Sequence, residues 1–203
     1  MDFTKNILLV GVWFGKSKPN PNLFLKPLYE TMKSFENDGH KFRFFDDSEI
    51  LVKGKVLCGT CDMPAKCKFL CMKQFNAYSG CPKCMPEGGR AAAGKTTVQV
   101  YPYQPNTAKR THAQTIDFGK QALEARKTDR KASVFGVKGP TLLSKIVPDI
   151  IKCTGIDVMH GVFLGVFKML LNLWFSSTFS GMPWSVHHFA RPIRYLLIFG
   201  RLR

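Results

Sequence analysis

The first third of the chain constrains the fold most, because its apolar residues switch between two periodicities. Ile7-Leu8-Leu9-Val10-Gly11-Val12-Trp13-Phe14 is an unbroken apolar run, and its length and branched residues predict a buried strand. Gly15 to Asn22 is a Lys-, Pro- and Asn-rich loop. Asn22 is placed to cap a helix running to about Asn37, with Pro27 confined to its first turn or to a kink. Phe24, Leu28, Met32 and Phe35 share one face of that helix, and Gly39 stops it. Phe42 to Phe45 predicts a short strand and Asp46-Asp47-Ser48 a turn. Ile50 to Cys61, interrupted at Gly54, predicts a second long strand that ends at Asp62, and Ala65 to Phe75 is helical in character. Such an alternation is a mixed α/β layer pattern. An acid just past a strand's carboxyl end stands where open sheets place ligands.

From Gly80 to Pro105 glycine, proline and lysine dominate, and only Val98 to Tyr101 reads as a strand. This texture fits an insertion or a metal-clipped loop. Thr111-His112-Ala113-Gln114 has capping-box spacing and opens a helix to about Arg126. A basic stretch follows, with Arg126, Lys127, Arg130, Lys131 and Lys138. Leu142 to Cys153 is modestly amphipathic. Ile156 to Phe175 is the strongest helical pattern in the chain, with a wide apolar face from Met159 to Trp174. His160, Leu164 and Lys168 form a separate stripe on it. The apolar run Val162 to Phe175 carries Lys168 and Asn172 and reads as too short and too polar to span a bilayer.

Charge narrows the partner. Lysine and arginine number 30 against 14 acids, a formal net charge of +16, which points to a polyanion, most often nucleic acid. Apolar residues make up 45% of the 203, enough to exclude global disorder. The seven cysteines are an odd count, and Met1 to Lys5 lacks the features of a signal peptide. Reduced thiols are therefore expected, not a disulfide framework.

Three motifs compete for a chemistry. Gly89 to Thr96 satisfies the P-loop expression letter for letter. A P-loop needs a strand before it and a helix after it, and here a strand-like run stopped by Pro102 follows. Cys58-x-x-Cys61 and Cys81-x-x-Cys84, nineteen residues apart, match a four-cysteine zinc spacing. Cys58 and Cys61, however, fall in a predicted strand, where positions three apart face opposite ways. Cys58, Cys61, Cys67, Cys71 and Cys153 are better read as small buried apolar residues. Cys81 and Cys84 follow a turn and should present two thiolates together, with His112 and His160 as candidate further zinc ligands; capping or surface histidines are the plainer alternative. Asp62 and Asp157 could together hold magnesium or manganese beside a phosphodiester. They could equally be helix-start carboxylates.

These stretches, taken in order, resemble the CACTA (En/Spm-type) transposases, particularly their animal-genome relatives. The resemblance rests on Leu9 to Lys16 with Pro19-Asn20, on Cys61-Asp62-Met63-Pro64-Ala65-Lys66, and on Gln74 to Cys84. It continues through Val100-Tyr101-Pro102-Tyr103, Arg110-Thr111-His112, and Gly155-Ile156-Asp157-Val158-Met159-His160. It implies a partial ribonuclease-H-like α/β fold with a cysteine-containing insertion and a C-terminal helix of the catalytic type. In that family acids and divalent metal (Mg2+ or Mn2+) cut and join DNA. Asp62 would be the second catalytic acid, and Asp157 would begin the helix that delivers the last one. Cys81 and Cys84 match the cysteine pair between the second and third acids, with zinc as a structural ion.

The chain departs from the family pattern where a glutamate often follows the histidine by one turn; Leu164 stands there. The strand carrying the first acid would lie upstream of Met1, and the text beyond Phe175 looks unrelated. The expected organisation is a core over 1–79, a zinc-clipped insertion and basic helical segment over 80–150, a returning helix over 151–177 and a basic tail over 178–203. The expected protein is a truncated, catalytically silent, nuclear transposase fragment that binds DNA, self-associates through exposed apolar surface and has no membrane role. The alternative is a non-enzymatic basic nucleic-acid-binding module.

Overall fold

The computed structural model describes residues 8–186, and the chain divides into two compact units, Met1–Gly155 and Ile156–Arg203. Ile7, at the start of the first apolar run, and the end of the expected basic tail lie outside the described residues. The first unit opens on α1 (Pro21–Asn37), capped by Asn20, not Asn22, because the Asn20 side chain accepts from the amides of Asn22 and Leu23. Asn22 instead ties α1 to a distant loop. Its amide donates to Pro140 O at 3.1 Å and its carbonyl accepts from Leu142 N at 2.8 Å. Pro27 lies inside the helix.

A hairpin follows, β1 (His40–Arg43) paired antiparallel with β2 (Glu49–Val52). Its turn is the expected Asp46-Asp47-Ser48: Asp46 Oδ1 accepts from Ser48 N at 3.1 Å, and Asp47 has φ 58°. The ladder ends at Val52, well short of Cys61. The short helix α2 (Met63–Phe69) comes next. A second antiparallel hairpin joins β3 (Gly89–Ala93) to β4 (Thr96–Val100), and α3 (His112–Ala125) carries the full capping box between Thr111 and Gln114.

The first unit therefore mixes helices with two separate two-stranded antiparallel sheets. Its core is a cluster of Leu25, Leu70, Met72, Val137, Ile146, Val147, Ile150 and Ile151. It draws on α1, the end of α2 and the loop segments around residues 137–151, so loops, not sheet faces, supply most of it. Gly136 shows how tightly these loops meet. It has φ 82°, and a Cβ there would collide with the carbonyl oxygen of Ser79, so only glycine fits.

Two strand expectations need correction. Residues 8–14 are extended but belong to no strand, and all are exposed, with Phe14 at 99%. A lone apolar run has no ladder to satisfy its backbone, and among the described residues no neighbour pairs with it. The long strand expected over Ile50 to Cys61 is likewise short, its ladder ending at Val52. The P-loop-like run forms the β3–β4 hairpin, in keeping with the strand-like rather than helical text that follows it. Gly94, with φ 59°, opens a two-residue connection to Lys95, as a tight hairpin requires. No helix amides face a phosphate there.

In the second unit a wide π-helical segment, Val158–Phe167, runs into α4 (Lys168–Phe175). The Lys168 amide reaches back to Phe163 O, five residues away. Gly161 and Gly165 lower the helix preference of this stretch. The helical run Val158–Phe175 is 18 residues, longer than the Val162–Phe175 run, and is long and apolar enough by length and composition to cross a membrane; none of it is buried.

Candidate functional site

Asp62 has extended backbone at the start of α2, and its Oδ1 accepts from Ala65 N at 2.7 Å. Pro64 in the first turn costs no hydrogen bond there. The carboxylate is exposed, and it caps the helix. Asp157 does the same for the π-helical segment of the second unit. Its Oδ1 accepts from His160 N at 3.2 Å, while Oδ2 meets His160 Nδ1 at 2.5 Å. The imidazole bond, then the backbone bond, hold the Asp157 carboxyl below its ordinary range. Both acids thus adopt the helix-start role weighed for them, and Asp157 has a histidine partner besides.

The Cys81-Pro82-Lys83-Cys84 turn brings its two sulfurs to 3.1 Å. It is built from outside. Lys109 bridges to Cys84 as an antiparallel neighbour, and Arg110 N donates to Lys83 O at 3.0 Å. The Arg110 guanidinium, only 4% exposed, reaches under the turn. Nε donates to Cys81 O at 2.8 Å and Cys84 O at 3.1 Å, and Nη2 to Phe135 O at 2.6 Å. Nη1 is buried without a partner among the described residues. Burial, with the bond to Cys81 behind it, pushes the Cys84 thiol up to about 11.

Two lysines complete the arrangement. Lys66, 2% exposed, donates to Thr154 O at 3.0 Å and Gly155 O at 2.8 Å. Lys83 donates to the same Thr154 O at 2.7 Å and to Ile151 O. Burial lowers the pKa of both ammonium groups, and Lys83 adds to the effect at Lys66. The Cys58 to Cys61 stretch docks on the same segment through a parallel bridge between Gly59 and Thr154. There Gly59 N donates to Cys153 O and Gly155 N to Gly59 O, each at 2.8 Å. His112 joins too, its Nδ1 accepting from Ile150 N at 3.2 Å.

So the structure brings together Cys81 with Cys84, and Asp157 with His160. His112 spends one ring nitrogen on the backbone. Among the described residues no three His, Cys, Asp or Glu side chains converge to hold a metal ion. Two adjacent thiols fall short of the four donors a structural zinc takes, and two capping carboxylates are not a two-metal clamp. The residues as arranged therefore do not fit either metal, and no step is routed through one. The cysteines otherwise divide. Cys67 is buried, as an apolar reading requires, whereas Cys58 is exposed, because the ladder that should have buried it ends at Val52.

Sequence reasoning missed buried Lys66 and Arg110 and half-buried Lys83. Charged side chains default to the surface unless paired, and their partners here are backbone carbonyls, which no sequence pattern displays. The available signal was their position inside the quoted motif stretches. Comparison of the chain with protein-family models, curated proteins and solved structures finds no match.

Proposed function

We propose that this chain derives from a DNA transposase of the CACTA type and binds DNA in the nucleus without cutting it. The observation that carries this reading is the convergence of its motif stretches. Cys58 to Lys66, Cys81 to Cys84 and Arg110 to His112 are far apart in sequence, yet all hydrogen-bond to one another or to the segment 150–155 that leads into Asp157. Stretches recognised only by their letters are those that build one buried polar junction. A family resemblance predicts such coherence, and a chance coincidence of letters does not.

On this reading the junction is the structural remainder of a ribonuclease-H-like core, with Asp62 at the end of one motif and Asp157 at the start of another. The family's zinc and its magnesium or manganese are not carried over, because neither the Cys81–Cys84 pair nor the two capping acids assemble a donor set. Catalysis is therefore assigned to neither acid. The net charge of +16 supplies DNA affinity through phosphate neutralisation and counterion release.

The test is duplex binding across a salt series beside a nicking and strand-transfer assay with magnesium or manganese. Salt-dependent binding with no cleavage, unchanged in Asp62→Ala and Asp157→Ala, is expected. Strand transfer by the purified chain would refute the silent part of the proposal. The charge also favours a second reading, a basic nucleic-acid-binding module of other descent. It predicts equal affinity for every duplex sequence, whereas the transposase reading predicts a preferred one.

A further inference from the structure

Away from the junction, Pro21, Lys68, Cys71, Arg126, Lys138 and Gly139 line a cavity of about 300 Å³ in the first unit. Three of these six residues are cationic and none is acidic. They come from three places in the chain: Lys68 from the last turn of α2, Arg126 from the C-cap of α3, and Lys138 from the loop after it. Pro21, the first residue of α1, forms one wall; it has no N–H, and the next two amides are held by the Asn20 side chain, so the helix adds only its dipole.

Lys68 and Arg126 each stand at the carboxyl end of a helix, where the dipole favours a cation. That accounts for each alone. It does not account for their meeting Lys138, which belongs to no helix, at a fourth element's amino end. None of the three has a carboxylate partner among the described residues, whose ion pairs lie elsewhere. All three are half-buried, so solvent screens them less than free surface charges. They are also held from the backbone. Lys138 N donates to Cys71 O at 2.7 Å, Arg126 N to Ala122 O at 3.0 Å, and Arg126 Nη1 to Ala132 O at 3.3 Å. The Cys71 thiol senses the cluster: burial raises its pKa, and Lys138 and Arg126 pull against that rise.

We propose that this cavity seats a phosphate group. Convergent cations with no acid to neutralise them favour a compact multivalent oxyanion. The group could be a backbone phosphodiester of DNA or free inorganic phosphate. The cavity contains none of the motif residues, so the inference stands apart from the transposase reading.

The test uses the full chain. Inorganic phosphate is titrated while the amide resonances of Lys138 and Gly139 are followed; saturable shifts are expected, with chloride at equal ionic strength giving none. In parallel, duplex affinity is measured against salt for wild type, Lys68→Gln/Lys138→Gln, and the equal-charge control Lys95→Gln/Lys120→Gln. If DNA supplies the phosphate, the cavity pair lowers the slope of log affinity on log salt by about 1 and the control pair does not. Phosphate-induced shifts with equal slopes in both pairs keep the proposal and assign the ligand as free phosphate. Absence of shifts together with equal slopes overturns it. Saturable wild-type shifts establish the site even where the double variant fails to fold; where they are absent, the slope of the single variant Lys138→Gln replaces that of the pair.

Discussion

Arg110 offers the sharpest test of the junction. Its guanidinium makes bonds to Cys81 O, Cys84 O and Phe135 O from a nearly closed site. Hydrogen bonds to a charged group contribute roughly 1.5–3 kcal/mol each, and the Nε–H is shared, so two full bonds, about 3–6 kcal/mol, is the fair count. Against this, Nη1 is buried unpartnered, and removing it recovers about 1–3 kcal/mol. Arg110→Ala should therefore destabilise by about 2–3 kcal/mol, which for a chain of this size lowers Tm by about 4–12 °C. Arg110→Met, which keeps the stem but no donor, should fall almost as far. Arg110→Lys should recover part of the loss, since one ammonium cannot span all three carbonyls. Thermal melting by circular dichroism reads the series. Equal midpoints for wild type, Arg110→Ala and Arg110→Met would show that the guanidinium holds nothing together.

Four further outcomes are expected. Lys66 has a folded-state pKa below its ordinary 10.5, so the folded chain loses that proton first as pH rises, and stability should climb between the lowered value and 10.5; urea midpoints across this range should rise in wild type and rise less steeply in Lys66→Met, where Lys83 alone remains lowered. Alkylation at mildly alkaline pH should label exposed Cys58 well before Cys67, Cys71 and Cys84, whose thiols burial holds up; peptide mass spectrometry gives the order, and early Cys84 labelling would contradict the 3.1 Å pair. Gly136→Ala should cost about 1–3 kcal/mol through its left-handed backbone and the blocked approach to Ser79, seen as a lower denaturation midpoint. The lowered Asp157 pKa makes its cap available above 3.8 and lost as pH falls through the folded value; His160→Ala should move the carboxyl titration upward by NMR.

Local chemistry was legible in the letters, and long-range pairing was not. The capping box of α3 and the Asp46 turn involve residues two or three apart, so sequence spacing already is their geometry. The helix over 21–37 was found, but Asn20 and Asn22 are both competent caps, and the choice depended on where residues 140–142 would stand. The strand over 8–14 failed because apolarity says that a segment wants cover without saying that cover exists. At 89–96 the letters suit a phosphate loop and a tight turn equally, and the strand-like text after them already spoke against the phosphate loop, as the hairpin bears out. For the candidate site, the individual residues were named, but the buried cations that hold their segments together were not.

Thr154 offers one carbonyl oxygen to two ammonium groups that enter the chain 71 and 88 positions earlier. During synthesis neither lysine can reach its shared acceptor until that late threonine emerges. A product clipped just ahead of it would leave Lys66 with neither of its acceptors and Lys83 with Ile151 O alone.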